Sequence, residues 1–531
     1  MPDRSPSSGP AALATLDSEA LRDVEQALAT EWIEPDGTGG FAMGSVLGLP
    51  VRRQHGLLVL RPNGLERRHV LLTSLGETLE VLPAESDQPT ELVLDATFRE
   101  GRFERTGHLA LEAFALEPAP RWTLRTGDVV VRRELVRSGP TLLMRWTLLE
   151  GPTRARLRLE PRLGPREADQ LTERNAALDA TVDLSLAGLR VRPYAGLPAL
   201  HFTVGGSPLE ARVAPAWQLG HQLPLDQARG YEGSDDLWTP GELAVELRRG
   251  QAVVLAVGVD APVAEPLRAF DAALAERTAA SRPAAHPGLA RLERAARRFL
   301  YRDTCRPAAP RRGVIAGYPW LAEWGRDTFI ALPGLTLAHD DLDGCRDVLL
   351  GAVDRIEGGL VPTHFGADPD SDHFAGADTS LWFARAVRLY ERAGGERALL
   401  VTKLAPALVT IAERYLEGTE LGIHADAQGL LHVGSPTLAT TWMDARLDGL
   451  PCTPRHGHPV EIQALWFALL AHLESWCYER GGRRDAERYA DVLRRASTAF
   501  VERFCDGDRL ADVWRPEGAD HALRPNMVVA A

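Results

Sequence analysis

Hydrophobic residues follow two different periods along this chain, and the change between them falls near residue 265. Between about residues 57 and 260 they come in short runs punctuated by Gly, Pro and Asp. Leu57-Leu58-Val59-Leu60, His69-Val70-Leu71-Leu72, Glu91-Leu92-Val93-Leu94 and residues 129–135 are leucine-rich or β-branched. Residues 142–148 and Ala155-Arg156-Leu157-Arg158-Leu159-Glu160 alternate apolar with polar positions, as does a strand with one buried face. Leu189-Arg190-Val191-Arg192, His201-Phe202-Thr203-Val204 and Leu243-Ala244-Val245-Glu246-Leu247 continue the series. Many short strands without helices between them predict an antiparallel β-sandwich over 17–265. Residues 1–16, rich in Pro, Ser and Ala, read as a disordered tail. Residues 17–30 read as a short helix with Asp17 or Ser18 as N-cap, and residues 31–44 as a glycine-rich loop.

Residues 266–287 read as a linker that includes a short helix. After it the apolar stripes repeat at helical spacing over 289–302, 326–339, 342–356, 379–393, 396–416, 459–480 and 483–505. The clearest stripe is Ile462, Leu465, Trp466, Leu469, Leu473, Trp476 and Cys477, whose tryptophans are expected in the core. Long polar loops at 306–325, 357–378 and 418–458 follow alternate helices. Helical hairpins arranged in a barrel, with the site at one end, give that pattern. The expected architecture is therefore β followed by α, with an all-helical domain over 288–531.

Composition narrows the class. With 531 residues, 45% apolar and 25% charged, the chain is an ordinary globular protein large enough for two domains. A net charge of −13 argues against nucleic acid or an anionic membrane as partner. Lys403 is the only lysine, and the arginines are scattered among acids rather than clustered. The five cysteines have neither disulfide-framework nor CxxC spacing, which points to a reducing cytoplasm. No signal-peptide core or membrane-length apolar run is present in the sequence.

The chemistry concentrates in the helical-half loops. Gly317-Tyr318-Pro319-Trp320-Leu321-Ala322-Glu323-Trp324-Gly325-Arg326-Asp327-Thr328 brings two indoles, two carboxylates and an arginine together where a helix begins. Indole faces stack on the apolar face of a sugar, while Arg and Asp serve its hydroxyls. Asp368-Pro369-Asp370-Ser371-Asp372 lacks the Gly and distal Glu of a calcium loop and reads as a solvated loop. No metal-ligand spacing and no phosphate loop occur, so neither metal nor cofactor is expected. Carboxylate, indole and arginine together are what glycoside hydrolysis uses: an acid for the leaving oxygen, a base for water and aromatic walls. Thr440-Thr441-Trp442-Met443-Asp444-Ala445 carries the candidate acid, because Trp442 and Met443 could shelter Asp444 and raise its pKa. Asp444 could equally cap a turn or pair with Arg446 or Arg455.

Eight motifs in order then resemble the glycogen debranching enzymes, in particular their amylo-α-1,6-glucosidase part. They are Glu31-Trp32 with Gly39-Gly40, Arg52-Arg53-Gln54-His55-Gly56, Gly317-Tyr318-Pro319-Trp320, Trp324-Gly325-Arg326-Asp327-Thr328, Asp378-Thr379-Ser380-Leu381-Trp382, Thr441-Trp442-Met443-Asp444, Thr453-Pro454-Arg455 with Pro459-Val460-Glu461, and Arg524-Pro525-Asn526. Gln54 stands where relatives carry an aromatic residue. The resemblance implies an N-terminal β-sandwich followed by a glucoamylase-like (α/α)6 barrel. About eight helical segments are present against twelve in such a barrel, so the barrel is expected to be incomplete, with the general base beyond residue 531. It further implies that Arg326 and Asp327 grip the terminal glucose and Asp444 is the general acid. Trp320, Trp324, Trp382 and Trp442 would line the sugar subsites, with Arg455 and Glu461 as substrate or supporting groups. The implied substrate is a branched α-glucan, glycogen or a limit dextrin, losing α-1,6-linked glucose with inversion. The alternatives are a related barrel enzyme (glucoamylase, trehalase or disaccharide phosphorylase) and a non-catalytic glucan-binding protein.

Overall fold

Apolar alternation in the first half is realised as antiparallel sheet. The structure, a computed structural model, describes residues 15–62, 65, 67–81, 89–185, 188–279, 286–304 and 310–530. It divides into two units, Met1–Arg298 and Phe299–Ala531.

In the first unit every run read as a strand lies in a strand or within one residue of it. A nine-stranded sheet runs Thr15–Leu16, Leu111–Ala115, Arg121–Thr126, Val129–Ser138, Thr141–Glu150, Ala252–Val259, Leu200–Gly205, Gly188–Val191, Val182–Ser185. Two five-stranded sheets accompany it, one centred on Arg154–Arg162 and one on Gly56–Leu60. Arg154–Arg162 shows why the pattern was readable: Ala155, Leu157 and Leu159 are buried while Arg154 and Arg156 face solvent. The sheets share one core containing Trp122, Trp146 and Trp238. Leu209–Gln222 is the edge strand of its sheet, with one register shift spanning Pro215 and another between Gln218 and His221, and an edge tolerates such a proline.

Several expectations for this half are corrected. Most of the 1–16 tail lies outside the described residues, but Thr15–Leu16 is not tail: it pairs with Ala115 and Phe114, and Leu16 packs on the core. The 17–30 helix is broken in two, Ser18–Arg22 capped by Asp17 and Val24–Ala29 capped by Asp23. The glycine-rich stretch 31–44 is a hairpin of Glu31–Pro35 with Phe41–Ser45. Its turn needs its glycines: Gly37 and Gly39 have φ of 75° and 96°, and a Cβ on Gly40 would sit 2.5 Å from the Val59 carbonyl oxygen. The stretch taken as a linker holds its expected short helix, Pro266–Ala279, but that helix is packed rather than linking: it seats Phe270 and Ala273 on Val136, Leu143, Val254 and Ala256.

In the second unit the main helices are Gly325–Leu335, Leu342–Val353, Asp378–Arg392, Ala405–Glu417, Val460–Glu479 and Arg483–Phe504, with Asn526–Ala530 at the end. The first stripe, 289–302, is instead helix Pro287–Arg297, placed with the first unit, followed by strand Leu300–Asp303 paired to Arg311–Val314. Gly325–Leu335 packs on Asp378–Arg392, which packs on Val460–Glu479, which packs on Asn526–Ala530. Leu342–Val353 lies against Asp378–Arg392, and Ala405–Glu417 and Arg483–Phe504 lie against Val460–Glu479. Flanked on several sides, Val460–Glu479 is apolar almost all round, and Trp466 is fully buried with its Nε1 donating to the Gly429 carbonyl at 3.0 Å.

Among the described residues no helix is long and apolar enough to cross a membrane, and no group of three His, Cys, Asp or Glu is arranged to hold a metal ion. Cys345, Cys452, Cys477 and Cys505 are free thiols; Cys305 lies outside the described residues.

Candidate active site

The long connections of the second unit each lead into the N-terminus of one of the successive packed helices. Arg326 is the second residue of its helix, Asp378 the first, Glu461 the second and Asn526 the first. Free N–H groups and the helix dipole favour carboxylates at such positions.

Arg326 joins two loops. Its Nε and Nη2 donate to Asp378 Oδ2 and Oδ1 at 2.5 and 3.2 Å, and its Nη1 donates to Asp444 Oδ2 at 3.3 Å. Asp378 is 1% exposed, so one edge of the guanidinium is set in a dry bidentate pair. The Asp444 side chain is 45% exposed, and the other edge therefore meets solvent. Burial works against the Arg326 charge, but Asp378 and then Asp444 outweigh it and hold its pKa above the ordinary value.

Asp444 does not have the apolar shelter the sequence suggested. Trp442 Nε1 donates to Asn526 Oδ1 at 2.7 Å, and Met443 Sδ lies 3.7 Å from Asn526 Nδ2, so both side chains engage Asn526. Asp327 follows Arg326 by one helical position, points elsewhere, and is exposed.

The tryptophans separate by environment. Trp320 and Trp442 are 51% and 44% exposed. Trp324 is half-buried as the N-cap of the Arg326 helix, edge-on to His364 at 5.5 Å. Trp382, one turn after Asp378, is half-buried, packs against the helical core and lines a groove with Arg385 and Leu465.

Arg455 and Glu461 are not at an open surface. Arg455 Nη1 and Nη2 donate to Glu461 Oε1 and Oε2 at 2.5 and 2.6 Å, and its Nε donates to Asp512 Oδ2 at 2.8 Å. The three side chains are 0 to 3% exposed. Burial pushes the Glu461 carboxyl up although Arg455 opposes it; burial lowers Arg455, but Glu461 and Asp512 more than offset this. Arg455 Nη1 also donates to Thr441 Oγ1 at 3.4 Å, so the pair stands behind the Trp442–Asp444 turn. Glu323 is likewise internal, accepting from Tyr301 Oη at 2.7 Å and pairing with Arg311 at 2.6 Å. Asp372 is no solvated loop residue: it is buried against Arg355 and accepts from Gly366 N at 2.9 Å.

Sequence reasoning did not assign Asp378, Asp512 or Asn526. Asp378 had a signal, a carboxylate opening the Asp-Thr-Ser-Leu-Trp stretch, and Asn526 another in Arg-Pro-Asn. Asp512 had none.

Two family descriptions match consecutive parts of the chain: "Glycogen debranching enzyme N terminal" over residues 30–254 and "Amylo-alpha-1,6-glucosidase" over residues 295–531. A glycogen debranching enzyme of Saccharomyces cerevisiae is 28% identical over 29% of this chain, and that match spans 14% of the yeast protein's length. Among solved structures, a bacterial glucoamylase complexed with acarbose aligns with a TM-score of 0.49 at 10% identity, covering 92% of this chain and 72% of that one. A GH78 family rhamnosidase of Bacillus sp. GL1 aligns with a TM-score of 0.36 at 15% identity, covering 71% and 35%. With both halves of the family matched in order over nearly its whole length, the chain belongs to the glycogen debranching enzyme family.

Proposed function

We propose that the second unit carries the site of an exo-acting glycosidase that removes α-1,6-linked glucose from a branched α-glucan, and that its helices are those of a glucoamylase-like (α/α)6 barrel. The observation that carries this reading is the double engagement of Arg326, clamped by buried Asp378 and open toward Asp444. A guanidinium fixed on one edge presents its other donors in a set direction, as gripping the hydroxyls of a terminal sugar requires. Because the Arg326–Asp444 contact is solvent-exposed, a sugar hydroxyl can replace it at little cost. Exposed Trp320 and Trp442 supply flat faces for the ring, and half-buried Trp324 and Trp382 with exposed Asp327 are the remaining candidates for its subsites.

In this mechanism Asp444 protonates the glycosidic oxygen while a second carboxylate activates water on the opposite face of the ring. Inversion requires the two carboxyls to stand roughly 6.5–9.5 Å apart. Arg455 and Glu461 act from behind, holding the turn that bears Asp444.

The test is Asp444→Asn assayed on an α-1,6-branched limit dextrin. Glucose release should fall by at least about a hundredfold while dextrin binding stays within a few-fold. Turnover near that of the parent refutes the acid assignment. Comparing isomaltose, maltose and trehalose, with and without phosphate, distinguishes the sister activities, with sugar phosphate marking phosphorolysis. Dextrin binding by the parent chain without glucose release would instead identify a glucan-binding protein.

A further inference from the structure

Asp512 is fully buried and has no part in the chemistry described so far, yet four donors converge on its carboxylate. Arg455 Nε and Arg524 Nη1 donate to Oδ2 at 2.8 and 2.6 Å; Arg455 Nη2 and Asn526 Nδ2 donate to Oδ1 at 3.0 and 2.6 Å. A carboxylate has about four acceptor sites, and all are taken. Its main chain is tied as well: Val460 N donates to Asp512 O at 2.9 Å, and Asp512 N donates to Asp520 O at 2.7 Å. This hub is therefore anchored to the first turn of Val460–Glu479 and cannot shift independently of it.

Asn526 is 2% exposed and stands between that hub and the sugar-site loop. Its Nδ2 faces Asp512, and its Oδ1 accepts from Trp442 Nε1 at 2.7 Å. Chemistry dictates the direction of the amide. An ionised carboxylate only accepts and an indole N–H only donates, so a flipped amide would set like against like at both ends. Among the side chains of this size only asparagine offers one donor and one acceptor in that order. Aspartate would repel Asp512, and leucine would serve neither partner.

We propose that Asn526, itself oriented by Asp512, is a positioning residue for the glucan site: it pins the indole of Trp442 and so fixes the sugar-stacking wall two residues before Asp444. The proposal rests on the glycosidase reading for its consequence in catalysis, but the pinning is a property of the free protein. It gives the Arg524-Pro525-Asn526 motif a task. Pro525 immediately precedes helix Asn526–Ala530, Asn526 opens it, and Arg524 pairs with Asp512 and Asp520 on the other side of the same hub.

Two arms test it on the full chain. In the first, the indole 15N–1H resonance of Trp442, assigned by its disappearance in Trp442→Phe, is followed for exchange with solvent. It should be protected in the parent and lose at least about tenfold of that protection in Asn526→Ala, as expected for loss of one hydrogen bond. Unchanged protection overturns the proposal whether or not the protein hydrolyses anything. In the second arm KM and kcat on a branched dextrin are measured for Asn526→Ala, Trp442→Phe and the double variant. Each single variant should raise KM several-fold with a smaller change in kcat, and the double should be no worse than the poorer single by more than about twofold. Independent, multiplying effects would overturn it, as would a KM for Trp442→Phe equal to that of the parent. The latter outcome stands even if Asn526→Ala does not fold, because Trp442 is at the surface. Absence of hydrolysis by the parent would remove the glycosidase reading and leave the first arm in force.

Discussion

At the scale of single residues, partners decide role. Arg326 and Arg455 are both doubly paired arginines, yet one reaches solvent through Asp444 and the other is closed between Glu461 and Asp512. The residue type is the same, and only the fate of the outer edge separates a candidate site from a buried brace. The same holds for Trp466, buried with its N–H on a carbonyl, and Trp320, half in water. Titration behaviour follows the same logic. His221 is buried and accepts from Arg99 Nη2 at 2.7 Å, and burial first, then Arg99 and Arg162, hold its pKa down at about 3. An unfolded chain takes up a proton near pH 6.5 that folded His221 refuses. Its contribution is therefore intact above that pH and is lost as pH falls from there toward 3. Between pH 6.5 and 5 this should remove about 2 kcal/mol from the first unit's stability, and His221→Gln should flatten that part of the profile. Urea denaturation of both proteins at the two pH values measures it, and equal slopes would count against the assignment.

At the scale of elements, periodicity was a good guide wherever one face is buried and the other is wet. Arg154–Arg162 and Arg483–Phe504 were readable for that reason. It failed where the signal is short or interrupted, as at Thr15–Leu16 and the hairpin of Glu31–Pro35 with Phe41–Ser45, because pairing there depends on residues distant in sequence. The start of the Arg326 helix is set by a close approach. Gly325 N donates to Thr363 O at 2.9 Å, and a Cβ at Gly325 would lie 2.1 Å from Pro362 O and 2.7 Å from Thr379 Cγ2. Gly325→Ala must push the 357–378 loop away from the helix, so it should cost about 1–3 kcal/mol and loosen the Arg326–Asp378 pair. A melting temperature within 1 °C of the parent (on the order expected for no change) would show that the loop yields freely.

At the scale of the whole molecule, two units each hold their own main core, one built around Trp122, Trp146 and Trp238 and the other around Phe329, Tyr415 and Trp466. Separate cores predict separable transitions in calorimetry. Trp466→Ala removes a fully buried ring and should cost about 3–5 kcal/mol, lowering the helical unit's transition and leaving the other in place. A shift of both by the same amount would mean that the cores unfold as one. The succession of strands and then helices, and the family, were legible from the chain alone, because hydrophobic period and local motif are properties of neighbouring residues. Which residues meet was not. Arg326 finds Asp378 and Asp444 at separations of 52 and 118 residues, and Asp512 gathers Arg455 and Arg524 from two loops and Asn526 from the start of a helix. Packing of the helices brings these groups together, and it is burial after packing, invisible in any local pattern, that closes Arg455 and Glu461 away from water and leaves the Arg326–Asp444 contact exposed.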